Sequence, residues 1–170
     1  MPDLPIETVA LTARDGARAR IALHGGQVLS WVPAGGDADR LFLSPRAAFD
    51  PGGAIRGGVP VCFPQFSERG PLPKHGFVRN RIWQLAATGA RADGAATAVL
   101  ETADDADSRA LWPHPFRVRI DVAVIEARLS VGLEVTNSGE TALAFTGALH
   151  SYLAIGDLAA ARVVGLNGVR

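Results

Sequence analysis

Apolar and polar residues alternate with a period of two along much of this 170-residue chain, and this pattern constrains its fold more than any other feature. Residues 118–124 and 129–135 each place an apolar side chain at every second position. Because side chains alternate between the two faces of a β-strand, each run predicts a strand with one buried face. The short segment between them suits a hairpin, so residues 117–152 are predicted to form an antiparallel meander that continues through Leu143 and Phe145.

The same period in the first third of the chain predicts further short strands, with Gly-containing turns between them. These strands are predicted over residues 6–11, 19–23, 27–32 and 41–43. The only helix is predicted over residues 104–111, because acidic residues begin it and Pro113 ends it. Apolar residues make up 48% of the chain, which is enough for the core of one globular domain.

Composition excludes several classes of function. Seventeen basic and seventeen acidic residues give no net charge, which argues against a general nucleic-acid or anionic-membrane binder. No apolar run is long enough to span a membrane, and the first residues lack a secretory signal pattern. The single cysteine, Cys62, lies in an apolar run and is predicted to be a small buried side chain rather than a nucleophile. A reduced, cytoplasmic compartment is expected.

Residues 51–80 differ from the rest of the chain because they are rich in glycine and proline. This composition argues against a regular central strand. The segment also holds apolar residues that would anchor it to a core, namely Val59, Val61, Phe63, Phe66 and Phe77. A long anchored loop of this kind is a usual place for a binding site.

One histidine and a group of cations are candidates for chemistry. His150 shares the face of a predicted strand with Ala148 and Tyr152, and histidine is the residue type best suited to proton transfer near neutral pH. A core histidine bonded to the backbone is the alternative, and the local sequence leaves both open. No pair of histidines has metal-ligand spacing, so no metal site is predicted.

Among the cations of the Gly/Pro-rich segment, three are candidates for binding an anion, namely Arg56, Lys74 and Arg79. Paired glycines follow Arg56, so backbone and guanidinium could approach an anion together. The group therefore favours a small anionic ligand, with solvated surface charges as the alternative.

Four segments together resemble a known family. They are RGGVPVCFPQF at 56–66, GPLPKHGFVRNRIW at 70–83, LWPHPF at 111–116 and ALHSY at 148–152. They resemble the glucose-6-phosphate 1-epimerases, the hexose-6-phosphate mutarotases of the aldose 1-epimerase family. The resemblance implies an all-β fold, an antiparallel β-sandwich of the galactose mutarotase type. It also implies that residues 1–170 form a single domain whose C-terminal part is missing.

The resemblance further implies a reaction and a set of residues. The reaction would interconvert the α and β anomers of an aldohexose 6-phosphate in a cytoplasmic monomer, without metal or organic cofactor. By position, His150 is the general acid toward the ring oxygen, and Arg56 and Arg79 hold the phosphorylated sugar. Lys74 stands where many members have glutamine, so it either contacts the phosphate or points to solvent. His75 matches a recurrent histidine beside the sugar.

The family's glutamate base lies in the part of the family sequence that is not present here. Asp157 follows His150 at an odd offset and would face away from it on one strand, and Glu68 lies in the loop. The 170-residue chain is therefore expected to be inactive alone. Two alternatives are a non-catalytic module that binds sugar phosphates and a mutarotase of unphosphorylated aldoses. Arg56 and Arg79 argue against the second alternative.

Overall fold

The computed structural model describes residues 4–50, 52–165 and 168. These residues form nine strands, one α-helix and one turn of 3₁₀ helix at Val78–Asn80. The first antiparallel sheet contains β1 (Thr8–Thr12), β2 (Arg18–Ala22) and β3 (Gln27–Val32). The second contains β4 (Val61–Cys62) and β9 (Ala148–Leu149). The third contains β5 (Gln84–Ala90), β6 (Ala96–Ala103), β7 (Phe116–Ile125) and β8 (Arg128–Asn137). The prediction of an all-β antiparallel fold is confirmed.

The first and third sheets pack face to face, which gives the sandwich its two layers. On β7, Phe116, Val118 and Ile120 are fully buried, while the residues between them are more exposed. They share one apolar core with Leu11 and Ile21 of the first sheet. Full burial of one such side chain stabilises the folded state by about 1.5–3 kcal/mol. The alternation that predicted these strands is therefore also what holds the two layers together.

The predicted meander is correct in its centre and wrong at its end. β7 and β8 pair as a hairpin in which Ile125 faces Arg128. Leu143 and Phe145 lie outside any strand, however, and β9 pairs with β4 instead of β8. After β8 the chain turns back, with Ser138 N–H donating to Pro115 O, and crosses to the Gly/Pro-rich segment.

The other predicted elements differ less from those in the structure. The helix, α1, spans Ala106–Leu111 and so begins two residues later than predicted, after a capping box between Asp105 and Ser108. The strand predicted over residues 41–43 is instead a pair of isolated bridges, which join Leu41 to Leu153 and Leu43 to Gly57. No helix among the described residues is long and apolar enough to cross a membrane.

The Gly/Pro-rich segment is more regular than predicted, because glycine lets it approach its neighbours closely. Val59 bridges to Val28 of β3, and two residues later the chain pairs with β9. Gly58 has a φ of +63°, and a Cβ there would lie 2.2 Å from the carbonyl oxygen of Val28. The segment therefore lies between β3 and β9, and this position carries its side chains to the residues around His150.

Candidate functional site

Two histidines that are distant in the sequence lie together in the fold. The ring centroids of His75 and His150 are 5.6 Å apart, and the rings meet edge to face. His150 directly follows β9, and its backbone N–H donates to Pro60 O at 3.0 Å. The pairing of β9 with β4 therefore fixes the position of the His150 ring beside the loop that carries His75.

The backbone and ring of His75 are both held by Ser67. His75 has a left-handed backbone, with a φ of +66°, and its N–H donates to Ser67 O at 3.0 Å. In return, the backbone N–H of Ser67 donates to Nδ1 of the imidazole at 3.1 Å. Because Nδ1 accepts this bond, the neutral ring carries its proton on Nε2. His75 can therefore offer an N–H donor from the other side of its ring.

Aromatic rings surround the histidine pair. The ring of Phe66 lies 5.4 Å from that of His75 and 6.3 Å from that of His150, measured between centroids. The ring centroid of Tyr152, two residues after His150, lies 4.9 Å from that of His150. Neither Phe66 nor Tyr152 was predicted as a site residue, although the sequence pattern had already placed Tyr152 beside His150. We call these four residues the imidazole cluster.

Arg79 adds a positive charge to the imidazole cluster. It lies on the 3₁₀ turn, and its Nη2 donates to the backbone oxygen of Lys74 at 2.7 Å. Among the described residues, neither its buried Nε nor the buried Nδ1 of His150 has a hydrogen-bond partner. Buried polar atoms in proteins are nearly always paired, so these two atoms are suited to a polar ligand.

Burial and the neighbouring charges lower the pKa of His75. Burial of the ring lowers its pKa from the ordinary value of 6.5, and the nearby charge of Arg79 lowers it further. His150 and Lys74 act in the same direction, while Glu68 opposes them. His75 is therefore predominantly neutral at pH 7.

The other two predicted cations, Lys74 and Arg56, lie in surroundings different from those of Arg79. Lys74 is exposed, and its Nζ lies 3.5 Å from Oε1 of Glu68, so its charge already has a partner. The side chain of Arg56 is exposed and has no ion-pair or hydrogen-bond partner in the described part of the chain. The structure thus brings His75, His150 and Arg79 together, whereas no contact joins Arg56 to them.

Cys62 is buried, as predicted from its apolar neighbours. Burial raises the pKa of its thiol, and the charge of Arg79 opposes this only in part. The thiol is therefore poorly suited to act as a nucleophile at neutral pH. Within the described ranges, no group of three histidine, cysteine or acidic side chains could hold a metal ion.

Titration of His75 is expected to reveal the neighbouring charge of Arg79. By NMR, the ring should titrate below pH 6.5, and its midpoint should rise more in Arg79→Gln than in Lys74→Gln. The folded state binds this proton less tightly than the unfolded chain. The contribution of His75 to the free energy of unfolding is therefore complete above pH 6.5 and is lost as the pH falls below it. A midpoint that does not move in Arg79→Gln would contradict this geometry.

Comparisons with known proteins agree with the fold and identify a family. The protein-family model of the aldose 1-epimerases matches residues 7–169. A protein from Cenchrus ciliaris named as a candidate glucose-6-phosphate 1-epimerase is 35% identical over 171 residues. That match covers 95% of this chain and 51% of the relative, so the chain spans about half the length of the relatives it matches.

Solved structures show the same architecture. A candidate mutarotase from Salmonella typhimurium superposes with a TM-score of 0.72 at 37% identity, covering 83% of this chain and 46% of that one. A galactose mutarotase related enzyme from Lactobacillus acidophilus, at 18% identity, has a TM-score of 0.62, covering 77% of this chain and 43% of its own. The galactose mutarotase type of fold predicted from the sequence is therefore confirmed.

Proposed function

This chain belongs to the aldose 1-epimerase family, and on that premise we propose that it binds an aldohexose 6-phosphate, of which glucose 6-phosphate is the expected example. We propose that it supplies the general acid for interconversion of the α and β anomers. The observation that carries the proposal is the convergence of His75 and His150, 5.6 Å apart, with the cation Arg79. The name of the Cenchrus relative supports glucose 6-phosphate as the substrate.

The proposed chemistry is a pair of proton transfers. His150 gives a proton to the ring oxygen while a base removes the proton of the C1 hydroxyl, and the C1–O5 bond breaks to leave an aldehyde. Rotation about C1–C2 presents the other face of the aldehyde, and the ring closes with both transfers reversed. A histidine suits the first role because its ordinary pKa allows it to give and take a proton near pH 7. His75, held neutral with Nε2–H available, is suited to donate a hydrogen bond to a sugar oxygen.

A non-catalytic role in binding sugar phosphates is the second candidate, and one observation favours it. In the described part of the chain, the carboxylate that acts electrostatically on His75 is that of Glu68, which is exposed and already paired with Lys74. A paired, solvated carboxylate is a poor general base for the C1 hydroxyl. Both candidates require binding of the phosphorylated sugar.

Binding of glucose 6-phosphate is expected to weaken in Arg56→Ala and in Arg79→Ala. The loss of one charged hydrogen bond to phosphate costs roughly 1.5–3 kcal/mol, and calorimetry would measure it. Binding of glucose should barely change in either variant. Arg128→Ala, which removes an exposed arginine at the start of β8, is the matched control. If glucose binds the unmodified chain as tightly as glucose 6-phosphate, the assignment of these arginines to the phosphate is wrong.

A further inference from the structure

A buried glutamine, Gln65, lies beside the mostly exposed loop of residues 67–75. It was not predicted as a site residue. Its backbone is held on both sides, because Pro64 O accepts the N–H of Thr146 at 3.1 Å and the N–H of Phe66 donates to Oγ1 of Thr146 at 2.9 Å. The side chain of Gln65 therefore extends toward the loop from a fixed base, between β4 and the residues that precede β9.

The amide of Gln65 uses both of its N–H donors and its oxygen on this loop. Nε2 donates to the carbonyl oxygens of Ser67 at 3.1 Å and Leu72 at 3.0 Å, and Oε1 accepts the N–H of Leu72 at 3.0 Å. The two carbonyls need donors and the N–H needs an acceptor, so these partners fix the orientation of the amide. Leu72 also packs against the main core. The amide therefore holds the start and the middle of the loop in a fixed relation to each other.

Ser67 is the residue that Gln65 shares with His75. The carbonyl oxygen of Ser67 accepts both Nε2 of Gln65 and the backbone N–H of His75, so both of its lone pairs are used. The N–H of Ser67 donates to Nδ1 of the His75 ring at 3.1 Å. A hydrogen bond weakens steeply when its angle departs from linear, so this bond depends on how Ser67 is oriented. That orientation depends in turn on the Gln65 amide.

Gly70 leaves the space that the Gln65 amide occupies. A Cβ at Gly70 would lie 2.5 Å from Oε1 and 3.3 Å from Cδ of Gln65. The φ of Gly70 lies outside the left-handed region, so an L residue has no conformational penalty there. Gly70→Ala would therefore press on the amide without adding backbone strain. This gives a second way to disturb the amide, without removing it.

We propose that Gln65 is a positioning residue of the site, which acts on His75 through Ser67. It keeps Nδ1 of His75 engaged as an acceptor, so that Nε2 carries the proton and can donate to the sugar. Its three hydrogen bonds reach the backbone of the loop and not the imidazole itself. The proposal rests on the proposed function, in which His75 donates a hydrogen bond to a sugar oxygen.

The backbone amide of Ser67 reports on this arrangement by NMR. The neutral His75 ring carries its proton on Nε2, so a proton taken up at low pH goes to Nδ1, and the N–H of Ser67 then loses its acceptor. In the unsubstituted chain, the Ser67 amide resonance should therefore follow the titration of His75. Gln65→Met keeps an unbranched side chain of similar length but has no N–H donor. In this variant the Ser67 resonance should no longer follow the titration.

Two further variants separate positioning from a general loss of structure. Gly70→Ala should weaken the response of the Ser67 resonance in the same way as Gln65→Met. Gln27→Met removes another buried amide, whose Nε2 donates to two backbone carbonyls of the Gly/Pro-rich segment, and it should leave the response intact. The groups whose charges act on His75 are the same in all of these variants, namely Arg79, His150, Lys74 and Glu68.

Sugar binding, measured by calorimetry, tests the consequence for the site. Gln65→Met should weaken the binding of glucose 6-phosphate and of glucose by the same factor, about three- to tenfold. The factor is shared because the affected hydrogen bond reaches the sugar and not the phosphate. Gln84→Met, on the exposed strand β5, makes the same change of side chain away from the loop and should bind both ligands as the unsubstituted chain does.

The two measurements distinguish this inference from the proposed function. If the Ser67 resonance still follows the titration in Gln65→Met, or is lost equally in Gln27→Met, Gln65 does not position His75, and the proposed function stands. If Gln65→Met does not fold, the same signal in Gly70→Ala decides. If the response is lost as expected but both sugars bind normally, the positioning role is confirmed. The hydrogen bond from His75 to the sugar, which belongs to the proposed function, is then contradicted.

Discussion

Glucose 6-phosphate is expected to anomerise at the buffer rate in the presence of the 170-residue chain, even when the chain is saturated with it. The reaction needs an acid at the ring oxygen and a base at the C1 hydroxyl, and each placed proton-transfer group contributes about 10²- to 10⁴-fold. His150 can supply the acid. Glu68, the carboxylate that acts on His75 in the described part of the chain, is exposed and paired with Lys74.

Exchange NMR between the two anomeric protons would measure the rate directly, with saturation of the chain confirmed by calorimetry. The control variants are His150→Gln and His114→Gln. The second removes a histidine that lies outside the imidazole cluster and whose ring centroid lies 4.6 Å from that of Trp112, with the two rings inclined at 55°. A rate above buffer that persists in His114→Gln and disappears in His150→Gln would show that the chain contains a working base, and the expectation of inactivity would be wrong.

The strands that could be predicted from the sequence are those with one continuously buried face. On β7 every second residue from Phe116 to Val124 is buried, so the pattern in the sequence is strong. β5 is exposed along its whole length, and β6 presents the small residues Ala96 and Ala98 to the core. Neither has a pattern of large apolar residues, because neither needs one for its packing. Both strands were therefore missed.

The site could be predicted only residue by residue, because its assembly depends on contacts between distant segments. His150 was identified from the alternation around it, Arg79 from the group of cations in the Gly/Pro-rich segment, and His75 from the family resemblance. Their convergence depends on the pairing of β4 with β9, which the period of either strand does not specify.

Gly76→Ala is expected to destabilise the fold strongly and to disrupt the imidazole cluster. Gly76 follows His75 and bridges to Phe63, and a Cβ at this position would lie 2.1 Å from the carbonyl oxygen of Phe63. Its φ of +70° adds a conformational cost of roughly 1–2 kcal/mol for an L residue. Overpacking against backbone that cannot move aside costs about 1–3 kcal/mol more. Together these penalties are a large part of the roughly 5–15 kcal/mol that stabilises a domain.

Urea unfolding would measure this loss, and Gly16→Ala separates its two causes. Gly16 also has a positive φ, +89°, but a Cβ there would meet nothing within 4 Å. Gly16→Ala should therefore show only the conformational cost, and Gly76→Ala should lose roughly 1–3 kcal/mol more. In any Gly76→Ala protein that remains folded, His75 must shift, because its neighbour can no longer approach Phe63. Its ring proton resonance should therefore move, while that of His24, which bonds to Gly53 O, stays in place. Equal destabilisation by the two substitutions would show that the close approach of Gly76 to Phe63 does not constrain the site.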